Sequence, residues 1–139
     1  MNIALDASVA IKLYVLEDMH DAARRLVAEA DTVFAPDFLL AEVCNIAWKK
    51  VRRNEIDTVQ AREFPAALRR RLTLYPTVAF VERALGIALT LDHPVYDCLY
   101  IACAEANDGV VVTADRRFCR AVQQTAFAGL VRHLEDATP

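Results

Sequence analysis

No stretch of this sequence is both apolar and long enough to cross a membrane. Its opening residues, MNIALDAS, lack the basic start, long apolar run and small-residue cleavage site of a secretory signal. A cytoplasmic protein without a membrane partner is therefore expected. Cysteine is present but unpatterned: Cys44, Cys98, Cys103 and Cys119 form no CxxC pair and no Cys/His zinc spacing, and they stand among apolar residues on predicted helices. Reduced core residues are the expected outcome. The three histidines are scattered and anchor no motif. Excess positive charge is missing too. A formal net charge of −3 gives no overall attraction to nucleic acid, so such a partner would have to meet local basic patches. There is no repeat, linker or low-complexity tract.

What is present is a single domain spanning residues 1–139, since 139 residues with 55% apolar content suffice for one core and not two. It is organised around Pro94 to Phe118, PVYDCLYIACAEANDGVVVTADRRF. Val95 to Ala106 is apolar around nearly its whole circumference, which predicts a buried helix, and a buried helix normally excludes unpaired charge. Asp97 breaks that rule. Gly109 stops the helix, Val110-Val111-Val112 reads as a strand in the middle of a parallel sheet, and Asp115 falls beyond its carboxyl end, where such sheets bind ligands.

Asn2 to Leu5 predicts a short strand closed by Asp6, with Ser8 as the cap of a helix through Tyr14. A second helix covers about Met19 to Ala30, and a strand Thr32 to Ala35 is stopped by Pro36. Asp37 to Arg53 predicts a long helix with Leu39, Val43, Ile46, Ala47 and Lys50 inward. Glu42 stands beside that stripe and points toward the core or its rim. Asp57 or Thr58 opens a helix through the 60s that starts or kinks at Pro65. A strand over Leu72 to Tyr75, a helix from about Ala79 to Leu91 and a helix with Pro94 in its first turn follow. Beyond the strand at 110 to 113, a helix from about Arg116 to Gln123 and a last edge strand over Gly129 to His133 are expected. Alternating strands and helices indicate a three-layer α/β domain with a mainly parallel central sheet flanked by helices.

Each acid has an ordinary structural use. Asp6 and Asp115 can cap helices, Asp97 can complement a helix dipole, and Glu42 can reach solvent from a boundary position. Taken together, Asp6 and Asp115 follow strands expected to be neighbours, while Glu42 and Asp97 project from helices over the same end, so the four can converge. Two carboxylates about 5 Å apart repel by about 3 kcal/mol at an effective dielectric near 20, which a divalent ion removes. All-oxygen ligands with few carboxylates favour Mg²⁺ or Mn²⁺ over Zn²⁺. Ser8 and Thr113, two positions from Asp6 and Asp115, are placed to orient those carboxylates or a water. Such a centre suits phosphodiester hydrolysis without a histidine or cysteine nucleophile.

Asp6-Ala7-Ser8 after the first strand, Glu42 in FLLAEVCNIAWK, Asp97 in PVYDCLYIACAE and Asp115 in VVTADRRF resemble the PIN-domain ribonucleases, specifically the VapC toxins of prokaryotic toxin–antitoxin pairs. The resemblance spans nearly the whole chain. It implies a three-layer PIN fold and a Mg²⁺-dependent endoribonuclease, with Asp6 and Asp97 as principal metal ligands, Glu42 and Asp115 completing the acidic pocket and Thr113 in support. It further implies structured RNA substrates, often tRNA, a VapB-like antitoxin whose C-terminal segment covers the pocket, and a homodimer.

Basic residues end the third helix (Lys49, Lys50, Arg52, Arg53) and the next (Arg69, Arg70, Arg71), where they can carry RNA phosphates to the site or simply favour the helix dipole. Arg116, Arg117 and Arg120 flank Asp115, and Arg116 and Arg117, which adjoin it, are the stronger candidates for RNA phosphate contact. Tyr14, Trp48, Tyr96 and Tyr100 are read as core or interface residues rather than base-stacking platforms. Three other functions share parts of this pattern. A phosphoacceptor signalling domain needs adjacent acids after the first strand and a late lysine, and a dehalogenase-type phosphatase needs DxD where this chain has Asp6-Ala7-Ser8. A non-catalytic RNA-binding or scaffold module on the same fold is the third.

Overall fold

The short apolar runs become five strands in the computed structural model, which describes residues 1–137. They are β1 (Asn2–Leu5), β2 (Thr32–Pro36), β3 (Thr73–Tyr75), β4 (Val110–Thr113) and β5 (Val131–His133), arranged in the order β3-β2-β1-β4-β5. Every pairing is parallel. Buried on both faces, the central strands need no polar alternation, and Ile3, Ala4, Leu5, Val111 and Val112 are fully enclosed. The chain builds outward from β1 through β2 to β3, then returns to the other side of β1 for β4 and β5. That reversal places the switch point between β1 and β4, where Leu5 stands opposite Val112 and the Asp6 amide donates to the Val112 carbonyl at 3.4 Å.

Helices flank this sheet in a three-layer α/β arrangement: α1 (Ala7–Ala10), α2 (His20–Glu29), α3 (Phe38–Arg52), α4 (Thr58–Arg71), α5 (Val81–Leu91), α6 (Val95–Ala106), α7 (Arg116–Val122) and α8 (Leu134–Ala137). α6 lies across β1, β2 and β4 with α5 packed on it, and its residues Cys98 through Ala104 are all buried, which its all-round apolar sequence requires. α3 packs on α1, α4 and β2. The acids of the β1–β4 switch point and those of α3 and α6 are thus carried by elements that touch.

Several local expectations are corrected. Asp6, not Ser8, caps α1: its Oδ1 accepts from the Val9 amide at 3.2 Å while Ser8 lies inside the helix. α4 starts at Thr58, not at Pro65, and continues across that proline, with Phe64 and Leu68 buried and Asp57 as its cap, accepting from the Gln60 amide at 2.7 Å. Pro94 precedes α6 as its cap residue instead of occupying the first turn. The cysteines do not all join the core. Cys98 and Cys103 are buried, Cys119 is half-buried and Cys44 is exposed on α3. Behind α6 the left-handed position belongs to Asp108 (φ 48°), not to Gly109. Gly109 is needed for proximity, since a Cβ there would stand 2.9 Å from the Asn2 carbonyl and 2.8 Å from the Phe34 ring. β5 opens at Val131, after a single turn of 3-10 helix over Ala128–Leu130.

Candidate functional site

Asp6 is the one acid of the four that the fold buries, with 6% of its surface exposed. It leaves β1 at the sheet's carboxyl end and turns directly into α1. Oδ1 accepts from the Ser8 hydroxyl at 2.6 Å as well as from Val9. The Ser8 hydroxyl oxygen in turn accepts from the Ala114 amide at 2.8 Å, and its contact with the Thr113 hydroxyl measures 3.4 Å. Ser8 therefore stitches the end of β1 to the end of β4. Thr113 is fully buried, bonds to the Asp6 side chain and accepts from the Asp115 amide at 3.0 Å. Ser8 thus bonds the Asp6 carboxylate, and Thr113 bonds both Asp6 and the Asp115 amide.

Burial pushes the Asp6 carboxyl from 3.8 up to about 6; hydrogen bonds from Ser8, Thr113 and Val9 oppose the rise and the neighbouring Asp97 charge adds to it. Glu42 is raised as well, by burial first, with the Tyr100 bond lowering it and Asp97 raising it further. Asp97 thus acts electrostatically on both Asp6 and Glu42. Tyr100, buried in α6, donates its hydroxyl to Glu42 Oε1 at 2.5 Å. Its own ionisation is pushed well up by burial and by the charges of Glu42, Asp6 and Asp97 together, so this one phenol faces three of the four acids.

Asp97 stands in the first turn of α6, partly exposed, and its Oδ2 lies 2.6 Å from His93 Nε2. The His93 ring stacks on Phe118 of α7, with centroids 5.5 Å apart and planes 8° from parallel. Asp115 differs from the rest. It is exposed and caps α7, accepting from the Arg117 amide at 2.8 Å. The ordinary structural use expected for Asp115 is present, and Thr113 links it to Asp6.

The arrangement brings Asp6, Glu42 and Asp97 into one electrostatic neighbourhood, with Asp115 at its margin. Among the described residues, however, no three Asp, Glu, His or Cys side chains come close enough to form a complete ligand set. Oxygen donors of this kind can serve a hard divalent ion only if water fills the remaining positions.

The sequence reading missed the partners of the helix-borne acids. Tyr100 was assigned to the core or an interface and His93 to no motif; the i, i+4 spacing of His93 and Asp97 was the available signal. Trp48 and Tyr96 are 53% and 60% exposed, so neither is a core residue, and Tyr96 stacks on Phe38 with centroids 5.4 Å apart. Of the basic residues, Lys50 is bound to Glu17 and Glu55, Arg52 lies over the Trp48 ring and Arg116 pairs with Glu135. Arg117 is exposed, and its backbone amide is what meets Asp115.

Comparison with known proteins gives a consistent result. The sequence profile of the PIN domain matches residues 3–123. The chain is 31% identical over 120 residues to Ribonuclease VapC3 of Pyrobaculum aerophilum, covering 84% of this chain and 92% of that protein. It is also 31% identical over 116 residues to Ribonuclease VapC9 of Mycobacterium tuberculosis, covering 83% and 87%. Among solved structures, PAE2754 of Pyrobaculum aerophilum superimposes with a TM-score of 0.69 at 20% identity over 97% of this chain and 85% of that one. VapC20 of Mycobacterium tuberculosis, described as a sarcin-ricin loop cleaving toxin, gives 0.67 at 20% identity over 86% and 95%. The sequence match over most of the chain, on a parallel sheet ending in Asp6 and Asp115, places this protein in the PIN-domain family among the VapC ribonucleases.

Proposed function

We propose that this chain is a metal-dependent endoribonuclease and the toxin member of a toxin–antitoxin pair, hydrolysing RNA phosphodiester bonds at the acids gathered around the β1–β4 switch point. The observation that carries the reading is Asp6: a buried carboxyl raised to about 6 by burial and the neighbouring Asp97 charge, at the carboxyl end of a parallel sheet. A protein that keeps a buried acid there has a use for it. VapC relatives named as ribonucleases supply the reaction class.

Asp6 and Asp97 would hold the ion, Mg²⁺ or Mn²⁺, with Glu42 and Asp115 bonding waters around it. When bound, such an ion supplies positive charge for the phosphate oxygens and acidity for an attacking water. The residues themselves do the rest. Ser8, Thr113 and the Val9 amide fix the Asp6 carboxylate, so it is already oriented when substrate arrives. His93 holds Asp97, and Tyr100 holds Glu42 with its second oxygen available to accept from a water. Glu42, raised by burial, is the acid of this group suited to take a proton from that water.

The substrate is expected to be structured RNA, with tRNA as the first class to try, and the regulatory partner a VapB-like antitoxin covering the acids. A homodimer and a cytoplasmic location complete the proposal; no helix among the described residues is long and apolar enough to cross a membrane. A second reading, a PIN module that binds RNA without cutting it, has two observations in its favour: Asp115 is engaged as a helix cap, and among the described residues no three-residue ligand set is assembled. Incubation of purified protein with total cellular RNA separates the two. The nuclease reading expects discrete fragments with Mg²⁺ that vanish with EDTA and with Asp6→Asn; intact RNA bound under both conditions supports the module.

A further inference from the structure

Beside the acids, on the β5 side of the sheet, lies a cavity of about 290 Å³ between α7 and β5. Arg116 and Arg120 enter it from α7, Arg132 from β5, and Cys119 and His133 form part of its wall. Asp136 is the acid in the lining, and Glu135, just outside, pairs with Arg116. Three guanidinium groups therefore face two carboxylates, in a protein whose net charge is −3. Arg132 Nη1 lies 3.7 Å from the Met1 sulfur, a weak acceptor, and Arg120 is exposed on the last turn of α7.

His133 gives the cavity a fixed polar wall. Only 5% of it is exposed, and its Nδ1 accepts from the Glu135 amide at 3.3 Å. Cys119 connects the cavity to the acids: burial is the main cause of its raised thiol pKa, and the charges of Asp6, Asp115, Arg116 and Asp136 all reach it.

We propose that this cavity is a phosphate subsite of the proposed nuclease, in which Arg120 and Arg132, with the forks of their guanidinium groups, hold a backbone phosphate of the RNA flanking the bond to be cut. The inference rests on the nuclease reading and extends it. Four acids repel a polyanion, so a substrate strand needs a cationic seat close to them, and planar guanidinium groups from two elements meeting in one hollow match a phosphate's oxygens. The other basic clusters are less suited. Lys50 is consumed by Glu17 and Glu55, and Arg69, Arg70 and Arg71 lead into β3, at the sheet edge opposite β5. Arg132 had no place in the sequence reading because nothing local marks a lone arginine on an edge strand.

The test measures binding of a short single-stranded RNA, fluorescently labelled, in EDTA across a series of salt concentrations, alongside cleavage in Mg²⁺. The proteins are wild type, Arg120→Gln/Arg132→Gln and Arg120→Lys/Arg132→Lys, with melting curves confirming that each is folded. The glutamine variant is expected to bind about tenfold more weakly, with a salt slope shallower by about 0.7, one single-strand phosphate contact. Its KM should rise with kcat unchanged, and the lysine variant should recover most of the slope, because charge returns without the fork. Equal affinity and equal slope in the glutamine variant, while wild type cleaves RNA, would overturn the subsite and leave the nuclease standing. If wild type neither binds nor cleaves RNA, both fall.

Discussion

The phenol of Tyr100 and the carboxylate of Glu42, 58 residues apart in sequence, meet at 2.5 Å and tie α6 to α3 at the level of the acids. Burial and three nearby carboxylates hold the phenol protonated, so it remains a donor at every working pH. Tyr100→Phe removes that donor and little volume. Glu42 should then rise further above its ordinary value, and the fold should lose about 1–2 kcal/mol at neutral pH, the usual loss when a buried acceptor is left unmet. Cleavage should fall with it. A melting curve that superimposes on wild type, with full activity, would remove Tyr100 from the account.

Asp6 makes stability depend on pH in a definite direction. Its carboxyl titrates near 3.8 when unfolded and about 6 when folded. Between those values the native state binds the extra proton, so stability falls as pH rises through the window. Above it the full penalty, about 3 kcal/mol, is present; below 3.8 there is none. Asp6→Asn should therefore stabilise the protein at pH 7.5 and hardly at all at pH 4, as read by denaturant unfolding of both proteins at both pH values. An equal difference at the two pH values would contradict the raised carboxyl.

His93 is placed to hold Asp97 through Nε2 while its ring is fixed against Phe118. His93→Ala should weaken Mn²⁺ binding and cleavage by about 10- to 100-fold, the usual range for a residue that orients a metal-binding carboxylate. His93→Gln, which can still donate from nearly the same place, should recover part of the loss. Identical metal affinity in wild type and His93→Ala would show that Asp97 needs no such support.

Lys50 looks like an RNA contact in the sequence and is otherwise engaged in the fold. Burial alone would lower its pKa, but the bonds to Glu17 and Glu55 outweigh it and raise the value. Lys50→Met should cost about 1 kcal/mol of stability, as partly shielded ion pairs do, and leave RNA affinity unchanged. A clear loss of RNA binding without loss of stability would restore it to the interface.

The strand ends are legible from the sequence because parallel strands buried on both faces read as short apolar runs, and an acid directly after such a run has few places to go. Asp6 and Asp115 follow from that, and the return of β4 beside β1 makes them neighbours. The all-round apolar α6 is legible for the same reason, burial leaving a uniform pattern. Side-chain partners across elements are not legible. Tyr100 occupies an ordinary apolar helix position, and only the tertiary placement of α6 and α3 brings its hydroxyl to Glu42. The choice between Asp6 and Ser8 as the cap of α1 depends on where β1 stops, to within one residue, and local sequence does not fix that. Cys44 and Cys98 both sit in apolar surroundings along the chain, yet one faces solvent and the other the core.

The account stands on Asp6 and Asp97 sharing one hard cation. Calorimetric titration of Mn²⁺ into wild type, Asp6→Asn and Asp97→Asn at pH 7.5, with each protein shown to be folded, bears on it most directly. One binding event in wild type, lost or greatly weakened in both variants, is the predicted result. Mn²⁺ binding that is absent in wild type, or that survives unchanged in either variant, would contradict it.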